Sequence, residues 1–93
     1  MYKEQLAYAQ TPERTAAILT DEAALVHHGM LYKEVFPNDI TWYASNAKTE
    51  AGDLLIQFKL LCEQNEWNEH ELESIGAVRF AKRMEELRKG RQE

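Results

Sequence analysis

Pro12 and Pro37 are the only two prolines in this 93-residue chain, and four glycines complete its stock of helix breakers. So few interruptions leave long helices as the natural outcome, because proline and glycine are the residues that stop or weaken them. Thr11 has the form of an N-cap, with Pro12 at the first helical position where a missing N–H costs nothing. From there Ile18, Leu19, Leu25, Val26, Met30 and Leu31 recur at helical spacing until "VFPND" ends the pattern. Gly29 lies inside this run, where a glycine costs about 1 kcal/mol relative to alanine.

Asp39 is placed to cap a second helix, whose stripe runs through Ile40, Tyr43, Ala47, Leu54, Phe58 and Cys62 and ends near "EQNEW". Asn68 and Glu71 have the spacing of a capping box. A third helix follows through Leu72, Ile75, Phe80, Met84 and Leu87, with Gly90 as its expected stop. Residues 2–8, "YKEQLAY", can form a short extra turn. No useful period-two segment, repeat or low-complexity tract interrupts this reading. It predicts one all-α domain over residues 1–93, with three long helices at about 12–35, 40–65 and 69–89.

A chain this short buries only roughly 60–65% of its unfolded surface. Helices of about 30–37 Å present apolar faces that one copy covers poorly. The expected remedy is a homodimer or higher homo-oligomer that completes the helical bundle.

Composition excludes several classes. The lone Cys62 permits neither an internal disulfide nor a zinc knuckle, which suits a reducing setting. "MYKEQLAYAQTPER" is broken by charges and has no signal-like apolar core, and no run approaches the ~18 apolar residues of a membrane span. The expectation is a soluble, cytoplasmic protein with no membrane partner. A net charge of −5 argues against a general nucleic-acid binder. The charge is uneven, however, because Arg79, Lys82, Arg83, Arg88, Lys89 and Arg91 crowd the C-terminal end. These cations complement a helix dipole and keep a face solvated, or they help to hold an anionic ligand.

The acids of the first two helices carry the chemistry. Asn46, Glu50, Asp53 and Gln57 form one inclined row beside the stripe of Ala47, Ala51, Leu54 and Phe58, so they should face a neighbouring helix or a cleft. Glu22 falls within the first helix's apolar stripe, four residues from both Ile18 and Val26. A carboxylate is costly there unless paired or metal-bound. The short "PND" connection implies antiparallel packing, which would bring Glu22 to Glu50 and Asp53. Magnesium, with manganese as the alternative, suits hard oxygen ligands of this kind. Without a metal, the same acids would serve a solvated face or pair with Lys48, Arg79 or Arg83.

"EAGDLL" at 50–55 resembles the E-x-x-D element of the MazG-like, all-α nucleoside triphosphate pyrophosphohydrolases, and "NEHELESIGAVRFAKRMEELRKG" resembles that family's closing helix. The layout is similar over residues 15–90. The family's first element, E-E-x-x-E, is answered here by "DEAAL" at 21–25, with Asp21 and Glu22 in its first two places and Leu25 in the third. The resemblance implies Glu22, Glu50 and Asp53 as metal ligands, Asp21 as their neighbour, and one ligand absent. It further implies attack of a magnesium-activated water within a bound nucleoside triphosphate, releasing the monophosphate and pyrophosphate. Lys48, Arg79, Lys82 and Arg83 are the cations suited to the remaining phosphate charge, with Arg79 and Arg83 one turn apart.

Other candidates are weaker. Trp42, Tyr43 or Trp67 could stack on a base, or serve packing and subunit contact. His27 and His28 diverge by about 100° on a helix and cannot readily share one ion. Cys62 lies in the apolar stripe and should behave as a small hydrophobe. No glycine-rich phosphate loop, G-x-S-x-G turn or H-E-x-x-H motif is present. Three functions stay open: a metal-dependent nucleotide hydrolase, a non-catalytic helical module for oligomerisation or partner binding, and an anion or RNA contact made by the basic C-terminal helix alone.

Overall fold

The computed structural model describes residues 1–6, 9–38 and 40–92, the side chains of 40–45 and 92 excepted. Three helices carry the chain: α1, Pro12–Val35; α2, Ile40–Asn65; and α3, Glu69–Gln92. A single 3-10 turn, Lys3–Gln5, precedes them, and no strand occurs among the described residues. The chain is all-α, with three long helices where the sequence placed them.

Local chemistry accounts for the ends. The Thr11 hydroxyl accepts from the Arg14 N–H at 3.2 Å, and Pro12 opens α1. At the other end the Phe36 N–H donates to the Tyr32 carbonyl at 2.8 Å, one residue before Pro37. The expected cap of α2, Asp39, lies outside the described residues. Gly90 does not stop α3, which runs on to Gln92. No described glycine has a positive φ, so Gly90 keeps helical geometry; glycine permits the left-handed stop without forcing it.

That stop is made instead by Glu66, the one described non-glycine residue with positive φ, at 58°. The Trp67 N–H reaches back to the Cys62 carbonyl at 2.9 Å and the Glu66 N–H to the Glu63 carbonyl at 3.4 Å. This pair of bonds is a Schellman closure of α2 built without its usual glycine. Asn68 then caps α3, its Oδ1 accepting from the Glu71 N–H at 3.0 Å. Lys59 on α2 and Glu69 on α3 form an ion pair at 2.9 Å across the corner.

Helices α1 and α2 pack against each other along their length, whereas α3 packs along neither. The buried and half-buried residues of α1 include Thr15, Ile18, Glu22, Val26 and Gly29, a three- and four-residue series along one face. Leu25, Met30 and Leu31, expected in the stripe, are exposed instead. At about 100° per residue, Leu25 and Met30 stand on either side of that series and Leu31 almost opposite it, while the close approach of the two helices is made at a small residue. A Cβ on Gly29 would lie 3.3 Å from the Ala47 Cβ. The glycine that weakens α1 locally is what lets α2 come near.

On α2 the half-buried positions include Ala47, Leu54, Phe58 and Leu61, while Ala51 and Leu55 are exposed. The polar row beside the stripe is itself drawn into the contact: Asn46, Glu50 and Gln57 are half-buried. On α2, burial among the described side chains is deepest near its C-terminal end, at Leu60 and Cys62, where the N-terminal segment packs. There Glu63 accepts from the N-terminal amine and from the backbone N–H groups of Tyr2 and Lys3, the latter two at 3.0 and 3.1 Å. Gln64 Nε2 donates to the Gln10 carbonyl at 2.8 Å, and Gln10 Nε2 donates to the wholly buried Thr15 hydroxyl at 2.7 Å.

Candidate metal centre

The hairpin geometry brings three carboxylates together. One oxygen from each of Glu22, Glu50 and Asp53 lies within 4.8 Å of the others. Glu22 comes from the contact line of α1, and Glu50 and Asp53 come from adjacent turns of α2. Glu22 and Glu50 are half-buried, and Asp53 opens to solvent. The cluster is thus anchored between two helices and accessible from one side.

Its electrostatics are unbalanced. A hydrogen bond shared with Glu50 raises the pKa of Glu22 above its ordinary value, and burial and the charges of Glu50, Asp53 and Asp21 push the same way. Glu22 Oε2 is also buried with no hydrogen-bond partner, as is Gln57 Oε1 one turn beyond Asp53. Among the described residues no ion pair joins Glu22, Glu50 or Asp53 to a cation. The donor set is three hard oxygens with one unpaired acceptor atom. That chemistry fits a magnesium or manganese ion, with water able to take further positions.

The other candidates fall elsewhere. Asp21 and Lys48 are exposed on the hairpin. Leu25, one turn from Asp21, is 47% exposed and offers no ligand. Arg79, Lys82 and Arg83 line a shallow groove on α3 with Gly76, Phe80 and Glu86, and α3 does not pack along the helices that hold the carboxylates. Trp67 is half exposed at the α2–α3 corner, while the side chains of Trp42 and Tyr43 lie outside the described residues. The His27 and His28 rings are exposed and tilted, with centroids 6.3 Å apart. Cys62 is buried, and that burial raises its thiol pKa, as befits a small hydrophobe.

Sequence reasoning missed the carboxylate bound by the N-terminus. The N-terminal ammonium holds the Glu63 carboxyl below its ordinary pKa, with the Tyr2 and Lys3 N–H groups adding to the effect. Partners some sixty residues apart leave no periodic signal. Gln57 could have been suspected from its place in the polar row, but its unpaired oxygen could not.

No protein-family model, curated protein or solved structure matches the chain.

Proposed function

We propose that this chain is a magnesium-dependent nucleoside triphosphate pyrophosphohydrolase that converts a nucleoside or deoxynucleoside triphosphate to the monophosphate and pyrophosphate. The observation that carries the reading is the convergence of Glu22, Glu50 and Asp53 at the α1–α2 contact, with Glu22 Oε2 buried and unpaired. Glu22 and Glu50 would hold the ion from the half-buried side and Asp53 from the solvent side. When bound, the ion would neutralise triphosphate charge and lower the pKa of a coordinated water. The chain's own contribution is to fix three acids on two packed helices, so that little reorganisation accompanies binding. Lys48, Arg79, Lys82 and Arg83 are the side chains suited to phosphate oxygens beyond the ion's reach.

The test is pyrophosphate release from a panel of dNTPs and NTPs with magnesium or manganese. A Glu50→Gln, Asp53→Asn double variant should lose at least about 100-fold of the metal-dependent rate, because two of three ligands become neutral. A panel on which wild type and variant are equally silent would sink catalysis on these nucleotides.

The ion has a second readout in stability. A glutamate whose folded pKa exceeds its unfolded value of about 4.5 favours the fold most below that value. The contribution is lost as pH rises through the folded pKa. Without divalent cation, Glu22→Gln should therefore be more stable than wild type at neutral pH, with the difference shrinking in mild acid. Magnesium should raise the wild-type melting temperature and leave that of Glu22→Gln nearly unmoved. Equal magnesium responses would remove Glu22 from the site.

One feature favours a second reading, that of a non-catalytic helical module. Leu25 supplies no fourth acid, and α1 exposes large apolar side chains, Leu31 and Val35 one turn apart on its outer face, that another protein chain would cover. Magnesium-dependent stabilisation without pyrophosphate release would select it.

A further inference from the structure

Three cations in the middle of α3 have no evident task in holding the fold together. Arg79, Lys82 and Arg83 lie more than two turns before the end of the helix at Gln92, whereas the helix dipole acts on charges within about the last turn. Among the described residues, the one ion pair internal to α3 joins Lys89 to Glu85 at 3.5 Å. Setting that pair aside leaves five bases, Arg79, Lys82, Arg83, Arg88 and Arg91, against the single acid Glu86 between positions 79 and 91. No ion pair among the described residues joins any of the five to the hairpin, along which α3 does not pack.

The stretch is shaped as well as charged. Arg79, Phe80, Lys82, Arg83 and Glu86 line a groove with Gly76, and at about 100° per residue Gly76, Arg79, Phe80 and Arg83 share one face. A helical side chain leans over the turn before its own Cα. For Phe80, which is 63% exposed, that turn carries Gly76, and nothing lies within 4 Å of where a Cβ on Gly76 would sit. The ring is left bare on that side, with two guanidinium groups beside it. An aromatic ring next to arginine forks suits a planar base joined to phosphates, and Glu86 can accept from base N–H groups. A lipid surface fits less well, because it takes one apolar face and Val78 lies roughly opposite Phe80 and Leu87 on α3. A free nucleotide would engage the groove alone, yet the cations continue to Arg91, about 18 Å along the axis from Arg79. A duplex turns its base faces inward, away from Phe80.

We propose that α3 binds single-stranded nucleic acid, a base stacking on Phe80 while Arg79, Lys82 and Arg83 hold neighbouring phosphates and Arg88 and Arg91 continue the track. The net charge of −5 opposes a general attraction to nucleic acid but not this local one, since charges more than about 8 Å apart are largely screened at physiological ionic strength. The surface needs no divalent cation. It stands whether or not the chain hydrolyses a nucleotide.

The test is fluorescence anisotropy of labelled single-stranded RNA and DNA oligonucleotides titrated with the full chain in EDTA, so that no metal-bridged phosphate contributes. Binding should weaken about 50-fold between 50 and 200 mM salt, as roughly four phosphate contacts on a single strand dictate. An Arg79→Gln, Arg83→Gln double variant should flatten that salt dependence. Phe80→Ala should instead weaken binding at least about 5-fold, the effect of losing one stacked base, and leave the salt dependence as it was. Gly76→Leu, which keeps every charge but covers the ring, should also weaken it. Helical circular dichroism should persist in all three, since these side chains support no packing between helices. Absence of binding at low salt would overturn the proposal, as would a Phe80→Ala variant that binds like wild type. A duplex of the same length, polyglutamate or phosphatidylserine vesicles bound as tightly as the single strand would reveal a general attraction to anions, and the proposal would fall.

Discussion

Helices α1 and α3 have the same length, 24 residues, and each carries several large apolar side chains. Only α1 is packed within the chain. In α1 the inward residues Thr15, Ile18, Glu22, Val26 and Gly29 follow one line, with a glycine where the neighbouring backbone comes closest. In α3 the apolar residues divide between opposite flanks, and no small residue marks a contact with its own chain. Its glycines, Gly76 and Gly90, have nothing within 4 Å of where a Cβ would sit. Alignment and close approach, more than the number of apolar residues, separate the helix that pairs within the chain from the helix that does not.

The contrast can be broken most forcefully at Gly29. Replacing it with leucine drives a branched side chain into Ala47 and should cost about 3 kcal/mol in urea unfolding, the upper range for an overpacked contact. The same glycine-to-leucine change at Gly76 on α3 should stabilise the isolated helix, because it meets open space. Equal losses at both sites would show that the two helices are packed alike.

A smaller effect is expected at the corner. Glu66→Gly removes the penalty of a left-handed glutamate, about 1 kcal/mol, but frees the unfolded chain as well. The expected net gain is about 0.5 kcal/mol, read as a higher urea midpoint. A loss there would mean that the Glu66 side chain contributes something its backbone angle does not reveal. Smallest of all should be Lys59→Ala. Surface ion pairs contribute little to global stability, so the unfolding midpoint should barely move. Amide exchange at Trp67 and Asn68 should nonetheless quicken, and high salt should reproduce that change in wild type.

These differences were unequally legible in the sequence. The caps at Thr11 and Asn68 could be read directly, since each acts on a backbone N–H three residues on. The meeting of Glu22 with Glu50 and Asp53 followed from period and connection length: a short link makes adjacent helices antiparallel, and the acids then fall opposite one another. Glu66 was invisible because no glycine announces its turn. Gly90 misled for the converse reason, allowing a conformation that nothing there imposes. The direction of α3 was beyond periodicity altogether, because a helical pattern identifies a face without saying which chain covers it. Likewise the exposure of Leu25, Met30 and Leu31 could not be read from a period that places apolar residues all round α1.

That approach sets more than stability. Glu22 lies two turns from Gly29, and Glu50 nearly one turn from Ala47, so the helix spacing also sets the gap across which the carboxylates face each other. Magnesium binds oxygen at about 2.0–2.1 Å and calcium at about 2.3–2.6 Å. On the metal reading, a single missing methyl group remote from the ligands becomes a gauge of ion size. A slightly wider hairpin would loosen its hold on the smaller ion and make room for the larger one.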